Sequence, residues 1–350
     1  MRGRMQAGIK SQPHIGVICM IIDRLDNITK IPEEYRSATP PAPKSVKIEL
    51  TAHCDFQCFY CATAWKLRDK GEIDWDFYCR IVKEMSEAGV EELGVFYLGE
   101  SFLSKQLPAA IEFAKKEAGF EYLFLTTNGR MADADRLRAC MEAGLDSLKF
   151  SFNYADAEQC KDMTRVDAFD TVVGHIADAR RVRDEVEAAS GHRCGLWASS
   201  IRYDGEQQER MEQAIELIEP HVDLHYWLPL YGQAGLTAGV RGTMPVAGNV
   251  GRADNMVDPL PCWALFTEGH VTYDGKLAAC CFDHDGRFDM GDLNKMGFME
   301  AWHSEPFQVL RQANLDCDVK GTACEKCIAY ATHEIDGPRL DASPAFAGAK

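Results

Sequence analysis

Between residues 45 and 228 the chain alternates short apolar runs with amphipathic segments, and this alternation constrains the fold more than any other feature of the sequence. The runs 46–50, 93–98, 122–126, 147–152, 194–201 and 222–228 read as strands. Between the first two, Asp74 stands where a helix N-cap belongs, Phe77, Ile81 and Met85 keep one apolar face, and Gly89 ends the segment. Further helices are expected over 106–118, over 133–143 with Gly144 at its end, over 171–189, and over 206–219, where Met211, Ile215 and Ile218 share a face before Pro220. Strands that are apolar throughout and linked by helices form a parallel sheet covered on its faces. Right-handed crossovers taken in order roll such a sheet into a barrel or part-barrel. In these folds sites form beyond the carboxyl ends of the strands.

Cysteines occupy the position that this architecture reserves for chemistry. Cys54, Cys58 and Cys61 follow the first strand with the spacing C-x3-C-x2-C, and Tyr60 directly precedes the last of them. Four cysteines fill every iron of a cubane cluster, so three leave one iron without a protein ligand. A catalytic zinc keeps an open position for the same reason. The plainer reading is three free or buried cysteines that happen to be close. A second set, Cys262, Cys280, Cys324 and Cys327, is spaced C-x17-C-x43-C-x2-C. Residues 269–276 between them read as a hairpin with Asp274-Gly275 at the turn, and 298–312 as a helix. The terminal C-x2-C alone also fits zinc.

The chain has 350 residues, 46% of them apolar, enough for one large domain or a large and a small one. Its net charge of −16 argues against nucleic acid, whose affinity rests on Lys and Arg at the phosphates. The apolar run 15–22 is too short for a secretory signal or a membrane span. The 14 cysteines are therefore expected in a cytoplasmic, metal-binding chain rather than in disulfides. The expected organisation is a lead-in over 1–44 with a strand at 14–22, a barrel over 45–230, a Gly-rich loop over 231–261 lying across the barrel mouth, a cysteine-rich unit over 262–330 and a poorly ordered tail over 331–350.

The three-cysteine motif with its aromatic neighbour resembles the radical S-adenosylmethionine (SAM) enzymes, and the six βα units fit their partial (β/α)6 barrel. Gly99-Glu100-Ser101 after strand two resembles the GGEP motif that holds the SAM amino group, with Leu98 in place of the first Gly and Ser101 in place of the Pro. Without the resemblance it reads as a turn with a solvated acid. Thr127-Asn128-Gly129 after strand three resembles a segment that lies near SAM, although Asn-Gly is first of all a turn signal. The resemblance further implies Ser151 and Asn153 at the end of strand four for the ribose or carboxylate, Arg165 for the carboxylate, Ser199 on strand five and Tyr60 at the adenine. Residues 262–330 resemble the SPASM/twitch extension, a small cysteine-rich domain that holds an auxiliary 4Fe–4S cluster. Their spacing is most like the single-auxiliary-cluster dehydrogenases of the 2-deoxy-scyllo-inosamine dehydrogenase type. A zinc ribbon is the other reading. Two 4Fe–4S clusters and SAM are the implied cofactors, with Cys54, Cys58, Cys61, Cys262, Cys280, Cys324 and Cys327 as metal ligands.

Cys281 and His225 are the remaining candidates for chemistry. Cys281 neighbours a ligand and, in a strand, faces the other way; it is either a core cysteine or a hydrogen-atom donor. His225 on strand six is either a base facing the mouth or a satisfied core histidine. The resemblance implies an enzyme that cleaves SAM reductively to a 5′-deoxyadenosyl radical, which takes a hydrogen atom from substrate. Residues 1–44 are too few for the winged-helix peptide-recognition module of many peptide-modifying relatives. This favours a small polar substrate of sugar, aminocyclitol or nucleoside type from natural-product biosynthesis, oxidised with the auxiliary cluster as electron acceptor. Modification of a ribosomally made peptide and radical epimerisation are the alternatives. An iron–sulfur electron carrier or a zinc-binding interaction protein is the non-enzyme reading. The expected partners are the substrate and a low-potential electron donor such as flavodoxin or ferredoxin, with no nucleic acid and no membrane.

Overall fold

The fold is seen in a computed structural model that describes residues 24, 27–202, 205–228, 260–325 and 327. Six parallel strands, β1 (Ser45–Ile48), β2 (Glu92–Gly94), β3 (Tyr122–Thr127), β4 (Ser147–Ser151), β5 (Gly195–Ile201) and β6 (Leu224–Leu228), lie side by side in chain order. The helices between them are α1 (Trp75–Glu87), α2 (Leu107–Lys116), α3 (Ala134–Glu142), α4 (Ala157–Thr164), α5 (Phe169–Ser190) and α6 (Gly205–Ile215). This is the partial (β/α)6 barrel expected from the alternation. Asp74 caps α1, its side chain accepting from the Phe77 N–H, and Asp133 caps α3 in the same way through Arg136. The short helix α4 was not anticipated, because its eight residues carry too little apolar period to stand out.

The period of two sorts each strand into two faces. Val46, Ile48, Leu93, Leu123, Leu125, Leu148, Phe150, Leu196 and Ala198 are buried against the helices in one core. The alternate positions, Lys47, Phe124, Lys149, Trp197 and Tyr226, line the barrel interior, which is far more polar than that core. Strands are shorter than the apolar runs suggested: the run 93–98 yields a strand only over Glu92–Gly94, and 46–50 one over Ser45–Ile48. The residues lost from each run leave the sheet to form loops at its carboxyl edge.

The cysteine-rich unit continues this sheet. Strand β7 (Glu268–Val271) pairs in parallel with β1, in the register Ser45 to Glu268 and Lys47 to His270. Strands β8 (Lys276–Ala278) and β9 (Asp289–Asp292) follow antiparallel, giving a nine-stranded sheet in the order β6-β5-β4-β3-β2-β1-β7-β8-β9. The hairpin turn at Asp274-Gly275 is as expected, with Gly275 at φ +84°. The expected helix over 298–312 divides into α7 (Phe298–Trp302) and α8 (Glu305–Leu315), with Pro306 in the first turn of the second. Among the described residues no helix is long and apolar enough to cross a membrane. The strand expected at 14–22, residues 231–259 of the Gly-rich loop and the tail from 331 lie outside the described residues.

Arg311 holds this unit together. It is fully buried over the rings of Trp302 (4.0 Å) and Phe307 (3.6 Å). It donates to the carbonyls of Leu265 (2.8 Å), Trp302 (2.7 Å) and Ala38 (3.2 Å). The Trp302 indole in turn donates to the Pro41 carbonyl (2.8 Å), which fixes the proline-rich connector before β1. Arg311→Met keeps most of the apolar stem and orphans these carbonyls. It is expected to cost about 3 kcal/mol, read as a lowered denaturant midpoint, since hydrogen bonds from a charged donor are worth about 1.5–3 kcal/mol each. A midpoint equal to the parent's would show that the bonds are dispensable.

Candidate active site

The loop that follows β1 carries the three cysteines, and backbone contacts from three sides hold it. The Gln57 N–H donates to the Thr164 carbonyl (2.9 Å) and the Phe59 N–H to that of Met163 (3.0 Å), so the end of α4 clamps the segment between Cys54 and Cys61. The Cys61 N–H donates back to the Cys58 carbonyl (3.0 Å). All three thiols are free and partly exposed. Burial, with Glu100 next, pushes the Cys54 thiol up to about 12. Burial and the neighbouring Cys61 and Cys54 raise that of Cys58. Cys61 thus opposes ionisation of both Cys54 and Cys58, and thiols so placed suit a cationic iron cluster, which inverts that balance. Among the described residues no three His, Cys, Asp or Glu side chains converge on one metal ion. A cubane needs no such convergence, because it takes one thiolate per iron.

Gly99-Glu100 packs directly on this loop. The Glu100 N–H donates to the His53 carbonyl (2.8 Å), and a Cβ at Gly99 would stand 2.0 Å from the Thr51 carbonyl oxygen. Glycine is therefore required by close backbone approach. Glu100 is not a solvated acid: it is buried and accepts from the Thr127 hydroxyl (2.8 Å), the Asn128 N–H (2.7 Å) and the Phe102 N–H (3.1 Å). Burial outweighs these donors and raises its pKa to about 7. The Ser101 hydroxyl donates to the Val95 carbonyl (2.7 Å), so it braces the loop from within. Asn128 also reaches Asp55 (2.8 Å), which forms an ion pair with Arg130 (3.0 Å). Motifs after strands one, two and three thus form one network.

The other expected SAM contacts are spread around this network. Ser151 ends β4 on the interior face and is in register with Ser199, which is buried on β5. Asn153 donates to the Tyr60 hydroxyl (2.9 Å) and accepts from the Ile201 N–H (3.0 Å), tying Tyr60 to the ends of β4 and β5. Arg165 is exposed just past α4, in the left-handed region at φ 65°, next to the Thr164 carbonyl that clamps the cysteine loop.

The second set comes together. Cys262, Cys280, Cys324 and Cys327 line one apolar cleft with Trp263, Phe282 and Phe288, and Cys281 lines it as well. The expectation that Cys281 faces away from Cys280 rested on strand alternation, and β8 ends at Ala278, so both cysteines lie in the bend beyond it. Cys281 sits beside His270 and Lys47 of the barrel interior. Two hydrogen bonds join this unit to the first loop system. The Tyr97 hydroxyl donates to the Cys280 carbonyl (2.7 Å), and Thr63, two residues past Cys61, is bonded to His284 Nδ1 (2.9 Å). His225 does not face the mouth. It is in register with Ala198 on the core side of the sheet, whereas Tyr226 takes the interior face opposite Ser199. Its Nε2 lies 3.0 Å from the Ser200 hydroxyl, and burial lowers its pKa to about 4.

Sequence reasoning missed Asp55, Thr63, Tyr97, Arg130 and His284 as parts of the site. Asp55 sits inside the cysteine motif and Arg130 directly after the Asn-Gly turn, so position alone was a signal for these two. The other three become site residues through contacts 183 and 221 positions apart in the chain, which no local pattern reveals.

Comparison with known proteins agrees with this geometry. The profile of the Radical SAM superfamily matches residues 48–196, and that of the SPASM iron–sulfur cluster-binding domain matches 262–328. The GTP 3′,8-cyclase of Chlorobaculum tepidum is 30% identical over 127 residues, 36% of this chain and 38% of that protein, so the match spans well under two thirds of the relative's length. Among solved structures, that of SuiB from Streptococcus suis bound to the precursor peptide SuiA superposes with a TM-score of 0.61 at 13% identity, covering 87% of this chain and 75% of that one. BtrN in complex with AdoMet and 2-DOIA superposes with a TM-score of 0.51 at 16% identity, covering 78% and 87%. The three-cysteine loop after β1, the Gly-Glu segment packed on it and the second cysteine cleft therefore belong to a member of the radical SAM superfamily with a C-terminal SPASM domain.

Proposed function

We propose that this radical SAM enzyme oxidises a small polar substrate of sugar, aminocyclitol or nucleoside type, with a second 4Fe–4S cluster in the SPASM cleft as electron acceptor. The observation that carries the reading is the junction of the two cysteine units: β7 pairs directly with β1, and the Tyr97–Cys280 and Thr63–His284 bonds tie the SPASM cleft to the SAM-site loops. A cluster, SAM and an electron from a low-potential donor such as flavodoxin or ferredoxin supply a 5′-deoxyadenosyl radical. The protein's part is to position a substrate C–H bond, exclude water and hold the acceptor within electron-transfer reach. Cys54, Cys58 and Cys61 would hold the first cluster and leave one iron open. Glu100, set by Thr127 and Asn128, would take the SAM amino group, with Ser151, Asn153 and Tyr60 beside the ribose and adenine. Cys262, Cys280, Cys324 and Cys327 would close the second cluster. The setting is cytoplasmic.

BtrN, solved in complex with AdoMet and 2-DOIA, shares this fold, and its two small ligands fit a small polar substrate. Peptide modification is the second reading, favoured by the likeness to SuiB with its bound precursor peptide. The named cyclase supports a nucleoside substrate without identifying one.

Anaerobic reconstitution is expected to load about eight irons per chain, and the Cys54/Cys58/Cys61 triple alanine variant about half. That variant is expected to form no 5′-deoxyadenosine, while Cys324→Ala keeps uncoupled cleavage. One zinc in the SPASM cleft, or turnover by the triple variant, would sink the assignment. For Glu100→Gln, calorimetry is expected to read a SAM affinity about tenfold weaker, or ~1.4 kcal/mol. Burial raises the Glu100 carboxyl from 4.5 to about 7, so its contribution to stability is complete below 4.5 and is lost as pH rises through 7. The SAM-free parent should therefore lose Tm over that window relative to Glu100→Gln; parallel profiles would refute the burial argument. In deuterated water, candidate substrates are expected to acquire no solvent deuterium at the reacting carbon, and Cys281→Ala is expected to turn over. Deuterium there, together with a stalled Cys281→Ala, would replace oxidation by epimerisation.

A further inference from the structure

Among the described residues, the barrel interior carries more cations than carboxylates. Three cations line it: Arg24, Lys47 and Lys149. Arg24 lies over the rings of Tyr122 and Phe124 and is paired with Glu92 (2.8 Å). Lys47 is paired with Glu268 (2.5 Å), which also takes His270 Nε2 (3.1 Å). Both carboxylates are thereby spoken for. Glu268 in particular is held ionised: burial opposes the charge, but Lys47 and His270 overcome it and bring the carboxyl down to about 2.

Lys149 is different. It stands on β4 two residues before Ser151 and on the same face, in register with Thr126 on one side and Trp197 on the other. Its side chain thus enters the barrel one step deeper than the strand-end residues read as SAM contacts. It is enclosed by the barrel yet keeps accessible surface, and among the described residues it makes no hydrogen bond and no ion pair. The charged or ionisable groups that face it are Lys47, Arg24 and the Cys281 thiol. Two of these repel it; Cys281, drawn well below the ordinary thiol range by its bonds to Cys280 and His270 and by Lys47, attracts it, but no hydrogen bond joins the two and Cys281 is already engaged by those groups. Burial, then Lys47, lowers its pKa to about 8, which leaves it cationic at neutral pH. An enclosed ammonium with no carboxylate and no hydrogen-bond acceptor among the described residues is costly. In a chain whose net charge is −16, no general basic character accounts for it.

We propose that Lys149, with Lys47 beside it, is the seat of an anionic group on the substrate, a carboxylate or a phosphate, inserted into the barrel beneath SAM. The proposal rests on the reading of the barrel as the site of a small polar substrate, and it narrows that class to acids: sugar or nucleoside phosphates, or sugar acids and amino acids. A ligand seated there would also lie against Cys281 and His270, the residues through which the interior borders the SPASM cleft.

Protein loaded with iron–sulfur clusters and SAM is titrated with inorganic phosphate and, separately, with carboxylate-labelled acetate, following the 31P and 13C line widths. Saturable broadening is expected for at least one anion, with phosphate or acetate dominance distinguishing the two substrate chemistries. In Lys149→Met the apparent affinity should fall at least about tenfold, while Lys149→Arg retains binding. Lys115→Met, which removes a surface lysine paired with Asp146, should match the parent. Equal broadening in parent and Lys149→Met, or no saturable broadening by either anion in the parent, overturns the proposal. Should Lys149→Met not fold, parent protein decides: the bound anion must slow reductive methylation of Lys149, read by peptide mass spectrometry, and unchanged methylation overturns the proposal. Because the readout is binding, its failure leaves the oxidation reading standing, and the solvent-deuterium result can fail with this one intact.

Discussion

The contact between the Gly99-Glu100 backbone and the carbonyls of Thr51 and His53 is the constraint on which the site depends. At 2.0 Å from the Thr51 oxygen there is no room for any Cβ, so the loop after β2 can lie flat on the loop after β1 only with glycine at this position. That packing delivers Glu100 into a buried position where Thr127 and Asn128 from the loop after β3 reach it. The α4 carbonyls of Met163 and Thr164 grip the cysteine loop from the far side. The three thiols are therefore placed by backbone bonds to rigid elements, which is the geometry a pre-organised site needs.

The SPASM unit extends the same logic. It does not hang from a linker but completes the sheet through β7, and its own core is pinned by Arg311 and Trp302 to the connector that precedes β1. One strand, β1, thus anchors both cysteine systems: the open set follows its carboxyl end and the closed set is built onto its free edge. The placement of the two cysteine systems relative to each other thus rests on a shared sheet and on the short bonds at Tyr97 and Thr63.

The interior of the barrel obeys a different balance from its outer core. Toward the helices the strands present aliphatic and aromatic side chains that are almost fully buried. Toward the lumen they present Lys47, Lys149, Glu268 and His270, groups expensive to enclose unless paired. Two ion pairs offset that cost at the floor, and among the described residues Lys149 stands above them without one.

The sequence by itself determined the barrel, the hairpin with Asp274-Gly275 and the grouping of the second set of cysteines, because each rests on local patterns: a period of two or 3.6, a turn dipeptide, a ligand spacing. Gly99, Glu100 and Asn128 were legible for the same reason, each standing directly after an apolar strand run. The face on which a residue lies was less secure. His225 and Tyr226 are neighbours in sequence, and only the register of β6 against β5 sends the first to the core and the second to the lumen. Cys281 escaped the alternation argument because β8 stops at Ala278, two residues before Cys280. The Thr63–His284 and Tyr97–Cys280 bonds and the unpaired charge of Lys149 were decided by the tertiary structure alone, since they depend on which side chains close into one space from strands far apart in the chain.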